Sequence, residues 1–344
     1  MRESIKIAVS LSGMPRNFDK CCKNTFKFFD ADNVEVDFFI HAWNNDWYEP
    51  RAKSPKRSMQ TSETLDTEDL KESLTKTYSP KSLIVEDQRE NEDIKTATDT
   101  IIRSVLHKST TIDIPDWLTS IVDPSQNYNY NSFLSSPLHL SQTYSISKSA
   151  TLVHEYSIIN QKKYDLVFRF RFDNFVEILP KKLRTKLFHD MVSLIEWANE
   201  QTKKLDKFRR DYLFPAWITV VGENGFARNT TWIGDKMFSC SANSYRCFEK
   251  YFDSQVARIL SYDIGQKGVS EDIPYFMPEQ TMYEMCLKNK LFVHGTAYLN
   301  SVGLVSYRDY HLSLEDQSFK SLQDTYRGHE KMNHDSSDGI VVGL

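Results

Sequence analysis

Cysteine is scarce in this chain of 344 residues, where Cys21, Cys22, Cys240, Cys247 and Cys286 are the whole supply. The number is odd, two are adjacent, and none has the C-x2-C spacing of a zinc site. Neither a disulfide framework nor a zinc module is expected, and buried thiols in a reducing, cytoplasmic setting fit the spacing. Long apolar runs are lacking too. Nothing approaches the ~18 apolar residues of a membrane-spanning helix. The opening MRESIKIAVSLSG holds too short an apolar stretch for a secretory leader. The expectation is a soluble protein with no transmembrane segment, in which Asn229-Thr230-Thr231 is a glycosylation sequon by pattern only.

An excess of charge of one sign is missing as well. The 43 basic and 47 acidic residues leave a net charge of −4, so no basic field is available for nucleic acid. There is no internal repeat, no P-loop and no G-x-G-x-x-G, which makes a dinucleotide oxidoreductase the weakest of the readings considered. What the chain has in quantity is aromatic side chains, 21 Phe and 17 Tyr among them. That composition argues for a folded core, and the length is enough to enclose a cleft.

Along the chain, residues 5–12 (IKIAVSLS) read as a strand covered on both faces. Gly13-Met14-Pro15 interrupts it. From Asn17 onward Phe18, Cys22, Phe26 and Phe29, with Thr25 between, recur at helical spacing. Residues 36–43 (VDFFIHAW) read as a second buried strand, and the unit closes as a parallel pair with a right-handed crossover. Residues 44–78 and 87–137 are polar and read as excursions from a core sheet, with a helix hinted at by Leu65, Leu70 and Leu74. Between them, residues 82–86 (SLIVE) form a third strand. A helix over 141–160, with Ser141 as N-cap, leads into a strand over 164–172 (YDLVFRFRF). A charged helix over 182–210, an apolar run at 217–221, a helix from Pro278 and a late strand over 291–298 follow. Residues 1–310 are expected to make one domain, with 311–344 a polar tail.

Two constellations stand out. Ser12, Gly13 and Arg16 lie between the first strand and its helix, where α/β sheets bind ligands and helix N-termini favour anions. Gly13 permits close backbone approach, and Arg16 offers a planar fork to a diphosphate. A plain β–α turn with a surface arginine accounts for the same residues. Second, Arg169, Arg171 and Asp173 alternate onto one face as their strand ends. They suit a diphosphate with a cation on Asp173, the alternative being a structural Arg–Asp pair. Weaker signals are Gly234-Asp235 after a strand, Glu279 in a first helical turn where capping alone would place it, and His294 near a late strand.

With Ser12-Gly13-Met14-Pro15-Arg16, Phe39-Ile40-His41-Ala42-Trp43 and the run Tyr164-Asp165-Leu166-Val167-Phe168-Arg169-Phe170-Arg171-Phe172-Asp173 in that order, the chain resembles glycosyltransferases of the GT-A type. The subgroup is that of bacterial polysaccharide and lipopolysaccharide synthesis and of similar viral or phage proteins, for which the compartment would be the host cytoplasm. The resemblance covers roughly residues 5–305 and implies a GT-A-like (Rossmann-like) α/β fold with a mainly parallel central sheet. It implies a nucleotide-sugar donor, a glycan, glycolipid or glycoprotein acceptor, and a divalent cation (manganese or magnesium) on Asp173. Ser12, Gly13, Arg16, Arg169, Arg171 and Asp173 would hold the donor, with Glu279 or Asp235 as the acceptor's base. One departure stands out. The first carboxylate of the family's D-x-D is Arg171 here, so Arg171 itself becomes a candidate for neutralising the diphosphate. The alternative is a binding or scaffold protein that keeps the fold without turnover.

Overall fold

The computed structural model describes residues 4–44, 66–88, 90–109, 137–176, 178–205, 211–215, 218–221, 230–233, 237–261, 278–289, 291–293 and 304–306. Its first part is β1 (Ile5–Gly13), α1 (Phe18–Phe29), β2 (Val34–Trp43), α2 (Thr67–Tyr78), β3 (Ser82–Glu86), α3 (Glu92–Ser109), α4 (Pro137–Ile159) and β4 (Leu166–Phe170). Then come β5 (Asn174–Val176), α5 (Lys181–Leu205), β6 (Asp211–Pro215), β7 (Ile218–Val221), β8 (Thr230–Ile233) and β9 (Met237–Cys240). The last are α6 (Ala242–Tyr245), a 3₁₀ turn (Arg246–Lys250), α7 (Tyr251–Leu260), α8 (Pro278–Lys288), β10 (Leu291–Val293) and β11 (Leu304–Ser306).

Seven strands form the central sheet in the order β10-β6-β9-β4-β1-β2-β3. Every pairing is parallel except the two made by β9, which runs against β4 and β6. The expected mainly parallel α/β sheet is the one found. Short antiparallel pairs, β5 with β11 and β7 with β8, lie outside it.

Strand periodicity divides the core into two layers. Ile7, Val9, Leu11, Phe168 and Phe170 face α1, α2 and α5, where they meet Cys22, Phe28, Leu70, Leu74 and Phe188. Ala8, Phe39, Val167 and Phe238 face the other way, onto α4, α6–α7 and α8. In the first layer Phe28 packs against Phe29, Phe168, Phe170 and Phe188 at ring separations of 4.9, 6.1, 5.7 and 5.8 Å. Burying each such ring is worth about 1.5–3 kcal/mol, and edge-to-face pairs add roughly 0.5–1.5 kcal/mol.

Several sequence expectations need correction. The buried stripe of α1 is Cys21, Cys22, Asn24, Thr25, Phe28 and Phe29. Phe26 is 37% exposed and lies against Phe38 and Tyr78 at the layer's margin. Ser141 is not a cap, because α4 already starts at Pro137 and Ser141 is buried within it. The polar stretches also hold more than excursions. Asp66 caps α2 by accepting from the N–H groups of Glu68 and Asp69, and Leu70 and Leu74 are buried, so α2 is the β2–β3 crossover helix. The strand over 164–172 is shorter, β4 ending at Phe170. Leu65 and the tail lie outside the described residues.

Candidate functional site

The strand order decides where a ligand crevice can open. From β1 the chain moves outward through β2 to β3, with α1 and α2 on one face of the sheet. It then crosses back along α4 on the other face and enters β4 on β1's opposite side. Between β1 and β4 successive connections therefore leave in opposite directions, and their carboxyl ends border the crevice that open α/β sheets use for ligands. Ser12, Gly13 and Arg16 follow one of these strands; Arg169, Arg171 and Asp173 end or follow the other. The parallel β1–β4 pairing sets the two groups at neighbouring strand ends, with Arg169 joined to Ser12 and Arg171 to Asp173.

The β1 side is built for close approach. Gly13 has φ +110°, a region that side chains with a Cβ rarely enter, and a Cβ added there would meet nothing within 4 Å. The chain tightens through the Arg16 N–H donating to the Met14 carbonyl at 2.8 Å. Asn17 is left-handed at φ 53° and its side chain makes no cap hydrogen bond to α1. The orphan N–H groups of a first helical turn favour an anion. The charge of Asp19 in that same turn works against one.

The β4 side splits in two. Arg169 is 2% exposed and donates from Nε to the Ser12 hydroxyl at 3.2 Å. Its neighbour Ser10 accepts from the Tyr245 hydroxyl at 2.8 Å, and burial pushes the Tyr245 phenol up to about 12. Because β4 stops at Phe170, the alternation does not continue to Asp173. The chain turns toward α1 instead, close enough that the Asp173 charge adds to burial in pushing the Cys21 thiol up to about 12. At the rim, Arg171 grips Asp173 bidentately, Nε to Oδ1 at 2.9 Å and Nη2 to Oδ2 at 2.8 Å.

A divalent cation needs several donors. Among the described residues no group of three or more His, Cys, Asp or Glu is placed to hold one. Asp173 already serves Arg171 with both oxygens. An ion roughly 4 Å from that guanidinium would meet a repulsion of about 4 kcal/mol per unit charge at an effective dielectric near 20. Among the described residues this donor set does not fit a divalent ion. His294 and Asp235 lie outside the described residues, and only the backbone of Glu279 is described, as the second residue of α8. That helix is held on α7 by Tyr251 donating to the Pro278 carbonyl and Thr281 to Gln255, both at 2.5 Å, and it packs against β8, the strand before Asp235.

Sequence reasoning missed a buried network beside this edge. His41 is fully buried on β2, with Nδ1 2.7 Å from the Ser145 hydroxyl and Nε2 3.1 Å from Glu86. Asn91 donates to the same Glu86 oxygen at 3.2 Å. Burial pushes His41 below its usual range. Glu86 is pushed up by burial, but the hydrogen bond and charge of His41 outweigh this and leave it below the usual carboxylate range. The neutral ring thus carries its proton on Nε2 toward Glu86 and accepts from Ser145 at Nδ1. Ser, His and Glu in a row suggest a hydrolytic triad, but Ser145 is 1% exposed and offers no nucleophile to a substrate. The available signal was a histidine inside an apolar strand, which needs two partners once buried. Next to it, Trp43 Nε1 and Asn44 Oδ1 are buried without a hydrogen-bond partner among the described residues.

No protein-family model and no curated protein matches the chain. Among solved structures, mouse xyloside xylosyltransferase 1 in its apo form aligns over 85% of this chain and 85% of its own, at 9% identity and a TM-score of 0.26. A likeness that weak bears on neither the site nor the activity.

Proposed function

We propose that the chain is a glycosyltransferase, moving a sugar from a nucleoside-diphosphate donor to a hydroxyl of a glycan, glycolipid or glycoprotein acceptor. The observation that carries this reading is the switch point between β1 and β4, edged by Gly13 at positive φ, Arg16, an α1 terminus without a side-chain cap, and Arg171. An elongated, doubly charged group with a sugar on one end suits that edge. The order of the three motifs shared with GT-A glycosyltransferases supports the same reading.

In the reaction the acceptor oxygen forms a bond to the anomeric carbon while the bond to the diphosphate oxygen breaks. The electron pair leaves with the nucleoside diphosphate, and the hydroxyl proton passes to a base if configuration inverts. Glu279 is the first choice for that base and Asp235 the second. Arg16 and the α1 terminus hold the diphosphate. Arg169 acts indirectly, by fixing Ser12. Catalysis of this kind is positioning and charge stabilisation.

Thermal shift with a panel of nucleoside-diphosphate sugars tests the reading, since a ligand at 100 times its Kd stabilises by about 2.7 kcal/mol. Arg16→Ala should weaken the responding nucleotide by about 1.5–3 kcal/mol in calorimetry while the fold persists. Unchanged affinity removes Arg16 from the site. The closed Arg171–Asp173 pair favours a second reading, a nucleotide-sugar-binding protein without turnover. Donor hydrolysis or transfer by the purified chain decides against it.

A further inference from the structure

We infer that the diphosphate at this edge is neutralised by the Arg171 guanidinium in place of a divalent cation, with Asp173 as the residue that orients it. The inference rests on the diphosphate reading of the site. Its own support is the geometry after β4. Asp173 holds the Nε–Nη2 edge of the guanidinium through two hydrogen bonds of 2.9 and 2.8 Å. The opposite Nη1 end of a planar group so gripped is directed away from the carboxylate.

The two members of the pair differ in access. The Arg171 side chain is 32% exposed, whereas that of Asp173 is 11% exposed and sits under its partner. A cation-binding carboxylate should be the accessible member, and here the cationic group is. Among the described residues no cluster of carboxylates, histidines or thiols supplies a second and third donor. Arg169 cannot take the role, being buried at 2% exposure and bonded to Ser12. A guanidinium stays protonated throughout and matches two phosphate oxygens at once, so it can meet the charge that gathers on the leaving diphosphate without any proton transfer.

The test is calorimetry on the full chain with the diphosphates of uridine, guanosine, cytidine and adenosine. Each is titrated once with EDTA and once with manganese chloride. The expected result is that at least one binds, with Kd values in the two buffers agreeing within about threefold. Arg171→Ala should then weaken that nucleotide about 10-fold or more in both buffers, the low end for a lost charge-assisted hydrogen bond, and manganese should not restore it. Arg171→Lys, which keeps the charge without the fork, should fall between, and serves if Arg171→Ala does not fold. Arg171→Asp, which pairs a second carboxylate with Asp173, should take up manganese where the parent does not.

Wild-type binding that vanishes in EDTA and returns with manganese overturns the inference while leaving the diphosphate site standing. Unchanged affinity in a folded Arg171→Ala that melts earlier also overturns it, and makes the pair purely structural. If none of the four diphosphates binds in either buffer, the donor-site reading has failed, and this inference with it.

Discussion

At the residue scale, His41 shows how one buried polar group sets the behaviour of its surroundings. It ties β2 to α4 through Ser145 and to the end of β3 through Glu86, with its ring fully buried. The ring is kept neutral because burial penalises its charged form. Its folded pKa lies below the unfolded value near 6.5, so the unfolded chain binds the extra proton first. Stability is therefore fully present above about pH 6.5 and is lost as pH falls below it toward the folded value. Glu86, also depressed, adds a further loss below about pH 4.5. Urea midpoints measured from pH 8 to pH 5 should fall in the wild type. In His41→Asn they should start lower but stay nearly level from pH 7 to pH 5. An equal slope in both proteins would show that the acid sensitivity comes from elsewhere.

At the element scale, the sequence motifs separate into parts with different work. In the run from Tyr164 to Asp173, the first two residues fasten the amino edge of the sheet. The Tyr164 hydroxyl donates to Asp37 at 2.6 Å, and Asp165 accepts the Lys6 N–H at 2.8 Å, which sets β4 against β1. Only the last residues reach the carboxyl edge of the sheet. The turn that carries Asp173 is in turn fixed to α1 by Asn24, whose amide donates to the Val176 carbonyl and accepts its N–H, each at 2.8 Å. Arg184 closes the other end of α1 by donating to the Asp30 and Leu179 carbonyls. Asn24→Ala would leave both Val176 backbone groups buried and unmatched. The expected cost is about 2–4 kcal/mol of unfolding free energy, with weaker nucleotide binding because α1 and the Arg171–Asp173 turn lose their common support. A loss below about 1 kcal/mol in urea titration would mean that the turn is held by other contacts.

For the whole molecule, the two layers close over nearly every thiol. Cys21, Cys22, Cys240 and Cys286 are buried and Cys247 is half-buried, all five as free thiols. Burial pushes Cys21 up to about 12 and holds Cys22 and Cys286 above the ordinary range, so few of these groups are thiolates at pH 8. A disulfide-exchanging reagent should modify at most Cys247 quickly in the native protein, and all five cysteines once denaturant is added. Rapid reaction of two or more without denaturant would show that a layer opens readily.

Much of the first half was legible because its patterns are local. Short apolar runs bounded by Gly13 and by polar turns yielded β1, β2 and β3, and three- and four-residue spacing yielded α1 and α2. β9 escaped notice because Met237–Cys240 is four residues long and buried on both faces, leaving neither a period nor length to reveal it. The resemblance to GT-A transferases likewise came from residues alone, and so did the six ligand candidates. What the tertiary structure decided is which candidates share an edge and which way each one faces. A strand's position in a sheet depends on non-local pairing, so only the β4–β1 contact shows that Arg171 and Gly13 lie at the same end of neighbouring strands. Facing depends on where the strand stops. With β4 ending at Phe170, Arg169 is locked onto Ser12 inside the sheet while Arg171 and Asp173 turn out to the rim, a division that strand alternation in the sequence had hidden.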